Sequence, residues 1–427
     1  MGKLFKKFRK KVSPYVRYVE MRIKIIWYNL HRQHILQMIQ KKDKVNVAFF
    51  VVNLSMWRCD SLFKLMLDDP RFEPVFVPMP RPMFNFESEK EEQYRLIDYC
   101  RQKGYPYISG YDYETKHFNG VDEIKPDLVF FSQPHNAAYP AHKIEALWKK
   151  SLFFYVPYCF VIGKEDVLVN NLYLNICQTV FSENEMIKSI ESEVLLNKGR
   201  NQIVSGYINA NLLIGEREDD IKLWKQSSKE IKRIIWAPHH SILEKDLLNY
   251  SNFLSIADDM LKLAHDYQGK VQFVFKPHPG LKPKLYDLES WGKERTDNYY
   301  LKWANMPNTT VDEGSYDGIF RSSDAMIHDS SSFTVEYLYT TKPVMYISKA
   351  DHLEYMNSFG EMCYNMHYKG FSIDDVRLFI DDVVICGRDT MKKDREDFVN
   401  NYLMTSDGCS TAEVIMNHLV SLCFNKK

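Results

Sequence analysis

The stretch Asp324, Ala325, Met326, Ile327, His328, Asp329, Ser330, Ser331, Ser332, Phe333, running on through Tyr339 to Pro343 and the apolar residues Val344 to Ile347, decides the fold. An apolar run of strand length ends at His328. Three serines follow without a gap, and Phe333, Glu336, Tyr337 and Tyr339 then fall at helical spacing. This order predicts a strand, a tight polar turn and a helix. In an open parallel sheet such a turn lies at the carboxyl end of a strand, where ligands bind, and the first N–H groups of a helix attract anions. Three hydroxyls beside those groups suit phosphate oxygens. The plainer alternative is that the serines only cap the helix.

Two further strand ends share this character. Val271 to Phe275 delivers Lys276, Pro277, His278 and Pro279, with Gly280 opening the next segment, and Arg233 to Ala237 ends in Pro238, His239, His240 and Ser241. Side chains set between prolines sit on stiff backbone, which core packing alone does not require. Three strands of one half thus each finish in a polar cluster carrying histidine, and together they would line one site. His328, at the end of an apolar strand, is expected to be structural. Zinc is not expected at these histidines, because no Cys or His spacing of a known zinc site appears.

The 427 residues are too many for one ordinary domain. With 45% hydrophobic and 14% aromatic residues the chain can bury a large core, and its 56 basic and 56 acidic groups balance. The balance hides an asymmetry: residues 1–44 hold thirteen Lys or Arg against Glu20 and Asp43, a net of +11, leaving −11 on the rest. Apolar residues such as Val16, Val19, Ile23, Ile26, Trp27 and Leu30 interleave with this charge, with Pro14 expected to break or restart the helix. Such a basic amphipathic segment is expected to lie on an anionic membrane surface; nucleic-acid binding and docking on the body's own acidic face are the alternatives weighed against it. The segment is too short and interrupted for a signal peptide, and no run is long enough to span a bilayer. Eight scattered cysteines without a CxxC pair give neither a disulfide framework nor a zinc site, so the expected location is cytoplasmic, peripheral to the inner face of the membrane.

Beyond residue 44, strands alternate with helices. The apolar run Val45 to Leu54 exits through Trp57, Arg58, Cys59 and Asp60, and strands are expected at 72–77, 105–108, 128–132, 153–156, 180–182 and 202–204. The polar stretch 216–232 reads as a linker. A second series follows: strands at 231–237, 271–275 and 309–311, helices at 246–266, 283–291 and 317–322, then the opening stretch and three terminal helices. The expected organisation is a basic segment 1–44 and two Rossmann-like domains, 45–215 and 216–427, facing a cleft in the GT-B manner; resemblance to a known family, carried by the motifs below, implies that the first is the acceptor domain and the second the nucleotide-donor domain.

Lys276, Pro277, His278 and Pro279, followed by Asp329, the serine run and Phe333, then by Lys342 and Pro343 entering an apolar strand, resemble the CDP-glycerol glycerophosphotransferase family of teichoic-acid enzymes. Trp57, Asp60, the 155–158 segment and Gly206 are similar to members associated with capsular polysaccharides. The resemblance covers roughly residues 45–425. It implies transfer of an alditol phosphate from a CDP-alditol to a hydroxyl of a lipid-linked or polysaccharide acceptor, with release of CMP. It makes His278 a donor-phosphate contact, with Lys276 and Glu336 on the donor side, Ser330, Ser331 and Ser332 a pyrophosphate cradle, and Asp329 the residue that fixes the turn.

Attack by a hydroxyl on the distal phosphorus needs neutralisation of both phosphates, which Lys276, His278 and the amides of 331–333 could supply without a metal or other cofactor. His239, His240 and His135 are the candidate bases, and Trp57, Asp60, His135 and Tyr158 the acceptor-side residues. Glycerol, ribitol or a sugar nucleotide remain open as donors. The alternatives are a GT-B glycosyltransferase using a nucleotide sugar and a non-catalytic nucleotide- or glycan-binding protein. No nucleic acid is expected as partner, and homo-oligomerisation is left open.

Overall fold

The computed structural model describes residues 2–80, 86–134, 138–164, 169–215, 217–226, 230–243, 250–349, 352–405 and 409–424, without the side chains of 2–15, 17 and 86. It divides into two compact units, one of Met1–Cys159, Glu165–Ile208 and Thr405–Lys427, the other of Phe160–Lys164 and Asn209–Met404.

The first unit is built on β1 (Val45–Val51), β2 (Phe72–Pro78), β5 (Leu128–Phe131), β6 (Leu152–Tyr155), β7 (Thr179–Ser182) and β8 (Gln202–Val204), with a small hairpin of β3 (Tyr111–Asp112) and β4 (His117–Phe118). The sheet order is β2-β1-β5-β6-β7-β8, all parallel. Its strands are near-continuous apolar runs because helices cover both faces. Facing residues stack across the strands: Phe49 on Phe130 at 4.7 Å, Phe130 on Phe154 at 5.4 Å, Phe154 on Phe181 at 6.4 Å. That aromatic ladder fixes the register, since a slip of one residue would turn every ring to the other face.

The second unit carries β9 (Lys232–Ala237), β10 (Val271–Phe275), β11 (Thr309–Val311), β12 (Ala325–His328), β13 (Val344–Ile347) and β14 (Tyr368–Gly370), in the parallel order β11-β10-β9-β12-β13-β14. One core face holds Trp236, Phe253, Phe275 and Trp303, with Trp236 on Phe275 at 4.9 Å and Phe275 on Trp303 at 5.2 Å. The chain winds outward from β9 on one side through β10 and β11, then returns to β12 on the other side. The strand order therefore reverses between β9 and β12, and ligands bind outside the carboxyl ends at such a point.

Several expectations are corrected. The boundary expected at 215/216 falls at Ile208/Asn209, and the helix Thr411–Phe424 returns to the first unit, where His418 meets Thr179 at 2.9 Å and Phe181 edge-on. The stretch read as a linker contains a 3-10 turn, Glu218–Leu223, whose Asp220 pairs with Arg321 at 2.7 Å. The N-terminal helix Gly2–Ile39 passes through Pro14 unbroken, because a proline removes one backbone bond while the later turns are anchored. Ile25, Tyr28, Ile35 and Ile39 are buried, the Tyr28 hydroxyl donates to Ser151 O at 3.2 Å, and Lys24 meets Glu145 at 2.9 Å. Residues 105–108 form only a single bridge, Tyr107 beside Phe76, rather than a strand. The helix expected at 283–291 is two, Leu281–Tyr286 and Gly292–Asn305. The one expected from 246 begins at Phe253, residues 244–249 lying outside the described residues. The helix after the serines is a single turn, Phe333–Glu336, continued by a 3-10 turn, Tyr337–Thr340.

Candidate active site

The ends of β10, β9 and β12 lie side by side in the second unit, since Phe275 pairs with Trp236 and Ala237 with His328. The pairing continues past the strands: Lys276 N donates to Trp236 O at 2.8 Å and His278 N to Pro238 O at 3.1 Å. Three imidazoles are gathered there. Ring centroids stand 4.3 Å apart for His239 and His240, 4.1 Å for His240 and His278, and 5.1 Å for His239 and His278.

Asp329 ties this rim together. Its carboxylate accepts from His239 N at 2.6 Å and from Asn252 N at 2.6 Å, so one buried side chain joins the end of β12, the end of β9 and the entry to the helix Phe253–Asp266. Burial pushes its pKa up to about 6, and the two amide donors hold it from rising further.

The hydrogen bonds of the imidazoles fix their tautomers. His278 Nδ1 accepts from Gly280 N at 3.0 Å, and His239 Nδ1 from Ser241 N at 3.3 Å. The Ser241 hydroxyl, which accepts from Tyr250 N at 2.9 Å, lies 2.7 Å from the same His239 nitrogen. A backbone amide can only donate, so in each neutral ring the proton sits on Nε2. Both rings are held neutral: burial first, then the neighbouring imidazoles, lowers the His239 pKa well below its ordinary value. His278 is lowered to about 3, by burial first, then by His240 and Lys284. The cluster therefore presents fixed Nε2–H donors. The imidazole nitrogens lie within 4.8 Å of one another, a spacing that a metal ion could bridge. A metal-bound imidazole, however, donates its other N–H to an acceptor, whereas Nδ1 of His239 and of His278 accepts. The donor set fits an anion better than a cation.

Other expected residues fall differently. Ser331 and Ser332 are half-buried beside this rim and Ser330 is buried. The amides of Thr334, Val335 and Glu336 are spent on Ser331 O and Ser332 O, so the amides this short turn can offer an anion are those of 331–333, beside the hydroxyls and imidazoles. The buried ammonium of Lys276 donates to Asp312 at 2.9 Å and to Gly314 O at 2.7 Å, which gives it the work of a clamp on the exit of β11. Glu336, expected on the donor side, is buried in the turn of helix that follows the serines. In the first unit Trp57 packs edge-on against Phe49, Phe63 and Phe76, at 5.6, 5.9 and 4.8 Å. Asp60 accepts from the Tyr99 and Tyr105 hydroxyls at 2.6 and 2.8 Å. Both thus have structural work within the first unit. Tyr158 is half-buried, its carbonyl accepting from Arg58 Nε at 3.2 Å, and His135 lies outside the described residues. Sequence reading missed Asn252 and Lys284, and named Ser241 only as a member of the strand-end cluster; the signal for its role was its place two residues after His239, matching Gly280 after His278.

Two parallel six-stranded sheets of this kind place the chain in the GT-B fold class. The particular family follows from residues 170–419, which match CDP-Glycerol:Poly(glycerophosphate) glycerophosphotransferase. The chain belongs to that family. It is 23% identical over 232 residues to the minor teichoic acid biosynthesis protein GgaB of Bacillus subtilis (strain 168), covering 50% of this chain and 24% of that protein. The match thus spans about a quarter of the length of that relative. The fold is similar to the wall teichoic acid polymerase TagF, H444N variant (TM-score 0.57, 13% identity, 98% of each chain). It is also similar to S. aureus MnaA with UDP (TM-score 0.56, 14% identity, 88% of this chain and 96% of that one). A third likeness is to the UDP-GlcNAc 2-epimerase of Neisseria meningitidis (TM-score 0.55, 13% identity, 88% and 99%).

Proposed function

We propose that the chain transfers glycerol phosphate, or a related alditol phosphate, from a CDP-activated donor to a hydroxyl of a lipid-linked or polysaccharide acceptor in the synthesis of a cell-surface polymer. The observation that carries this reading is the set of tautomer-fixed imidazoles at the switch point between β9 and β12. The acceptor oxygen forms a bond to the distal phosphorus, the bond to the bridging oxygen breaks, and CMP leaves with that oxygen. Negative charge grows on the leaving phosphate, and Nε2–H of His239 and His278 with the hydroxyls of Ser331 and Ser332 would stabilise it. His240 is the base assigned to the acceptor hydroxyl, because it touches both donor rings. This chemistry needs no resident metal or cofactor.

A second reading, a nucleotide-sugar enzyme, draws on the likeness to structures that hold UDP or UDP-GlcNAc. Incubation with CDP-glycerol, CDP-ribitol and a panel of nucleotide sugars separates the two. CMP release supports the transfer of alditol phosphate. Release of a nucleoside diphosphate supports the second reading and overturns the first.

Residues 1–44 are assigned to an anionic membrane surface on the cytoplasmic side. Val16, Val19, Ile23, Ile26 and Leu30 are exposed at alternating spacings of three and four, opposite the anchored Ile25, Tyr28, Ile35 and Ile39. No helix among the described residues is long and apolar enough to cross a membrane.

A further inference from the structure

Behind the serine turn lie two imidazoles that the transfer chemistry does not use. His328 and His367 are both buried, with ring centroids 5.2 Å apart and planes at 66°. His328 Nδ1 accepts from Ser330 N at 3.1 Å, so its neutral ring carries the proton on Nε2. His367 Nδ1 lies 2.8 Å from Cys363 O, in the helix Ser358–Asn365. A carbonyl only accepts, so that Nδ1 carries the proton and Nε2 holds a lone pair. The Nε2 atoms of both rings are buried with no hydrogen-bond partner. One is a donor and the other an acceptor, in adjacent rings, and a buried polar atom left unmade costs more than a net hydrogen bond returns.

We propose that His367 Nε2 is the acceptor for His328 Nε2–H, directly or through one bridging water, and that His367 is thereby a positioning residue for the anion-binding serine turn. The line runs from Cys363 O through His367 and His328 to the amide of Ser330. It fixes the backbone orientation at the first serine from the far side, leaving the hydroxyls of Ser331 and Ser332 to the ligand. The neighbouring Tyr346, whose ring stands 5.1 Å from that of His328, donates to Asp329 O at 3.3 Å and so braces the residue before Ser330. The idea rests on the proposed function only for what the turn holds; the hydrogen bond itself is independent of it.

Two substitutions separate position from bulk. In His367→Asn the amide nitrogen can take the place of Nδ1–H toward Cys363 O but leaves no acceptor for His328. In His367→Gln the side-chain oxygen can reach the place of Nε2. In full-length protein labelled at histidine and backbone nitrogen, the His328 Nε2–H and Ser330 amide resonances are expected to move in His367→Asn and to stay near their original positions in His367→Gln. Binding of inorganic pyrophosphate is expected to weaken about tenfold in the Asn variant and by less than about twofold in the Gln variant. Unmoved resonances in His367→Asn overturn the proposal, as does a His328 spectrum with the proton on Nδ1. Wild-type protein that fails to bind pyrophosphate, with resonances that move as expected, counts against the functional reading and upholds the hydrogen bond.

Discussion

The amide of His239 donates to the carboxylate of Asp329 across the gap between β9 and β12, at 2.6 Å. The bond places the first imidazole of the cluster at the point where the strand order reverses. It also reconciles an acidic residue with the anion site proposed beside it: both carboxylate oxygens are turned to amides of the protein.

Replacing Asp329 by Asn puts an N–H opposite one of those amides. The variant is expected to lose about 1–3 kcal/mol of stability together with activity. Denaturant unfolding measures it, and a midpoint equal to wild type would contradict the role given to Asp329.

His278 sits at the open edge of the cluster and carries no core packing load. His278→Ala is expected to lower turnover about 10²- to 10³-fold, the effect of removing one preorganised donor, with the thermal midpoint unchanged. Full turnover in that variant would remove His278 from the reaction.

Lys276 behaves in the opposite way. Its ammonium bonds Asp312 and Gly314 O, so Lys276→Met is expected to cost about 2 kcal/mol in stability. A variant as stable as wild type with donor binding abolished would return Lys276 to the phosphate.

This contrast marks what the residues disclosed and what they withheld. The alternation of apolar runs and polar exits foretold both sheets, and the three histidine-bearing strand ends foretold one rim, because periodicity and turn chemistry are local. Whether Lys276 or Asp60 faced a ligand depended on partners 36 and 39 residues away, Asp312 and Tyr99, which no local pattern announces. The return of Thr411–Phe424 to the first unit is likewise a long-range event. The serine turn was legible as a turn; the brevity of its helix was not, since Tyr337 and Tyr339 continue the helical spacing into a 3-10 turn.

Burial lowers the His328 pKa to about 3. The ordinary imidazole value lies near 6.5, so this group's contribution to stability is complete above that pH and is lost as pH falls toward 3. Against His328→Asn, which does not titrate, wild type should lose about 1.4 kcal/mol per pH unit between pH 6.5 and 4.5. Unfolding free energies at several pH values measure the difference. A gap independent of pH would show that His328 takes up its proton as freely when folded as when unfolded.

The exposed strip of the N-terminal helix is assigned to lipid. Replacing Ile23, Ile26 and Leu30 with Ser should leave the thermal midpoint within about 1 °C, since all three are exposed, and should remove co-sedimentation with vesicles containing anionic lipid. Undiminished sedimentation would argue that the strip meets something else.

The most direct measurement is a crystal structure of the full chain with CDP-glycerol or CDP. The account predicts the diphosphate at the β9–β12 switch point, its oxygens about 3 Å from Nε2 of His239 and His278 and from the hydroxyls of Ser331 and Ser332. A diphosphate bound elsewhere, with these four groups turned to water, would contradict it.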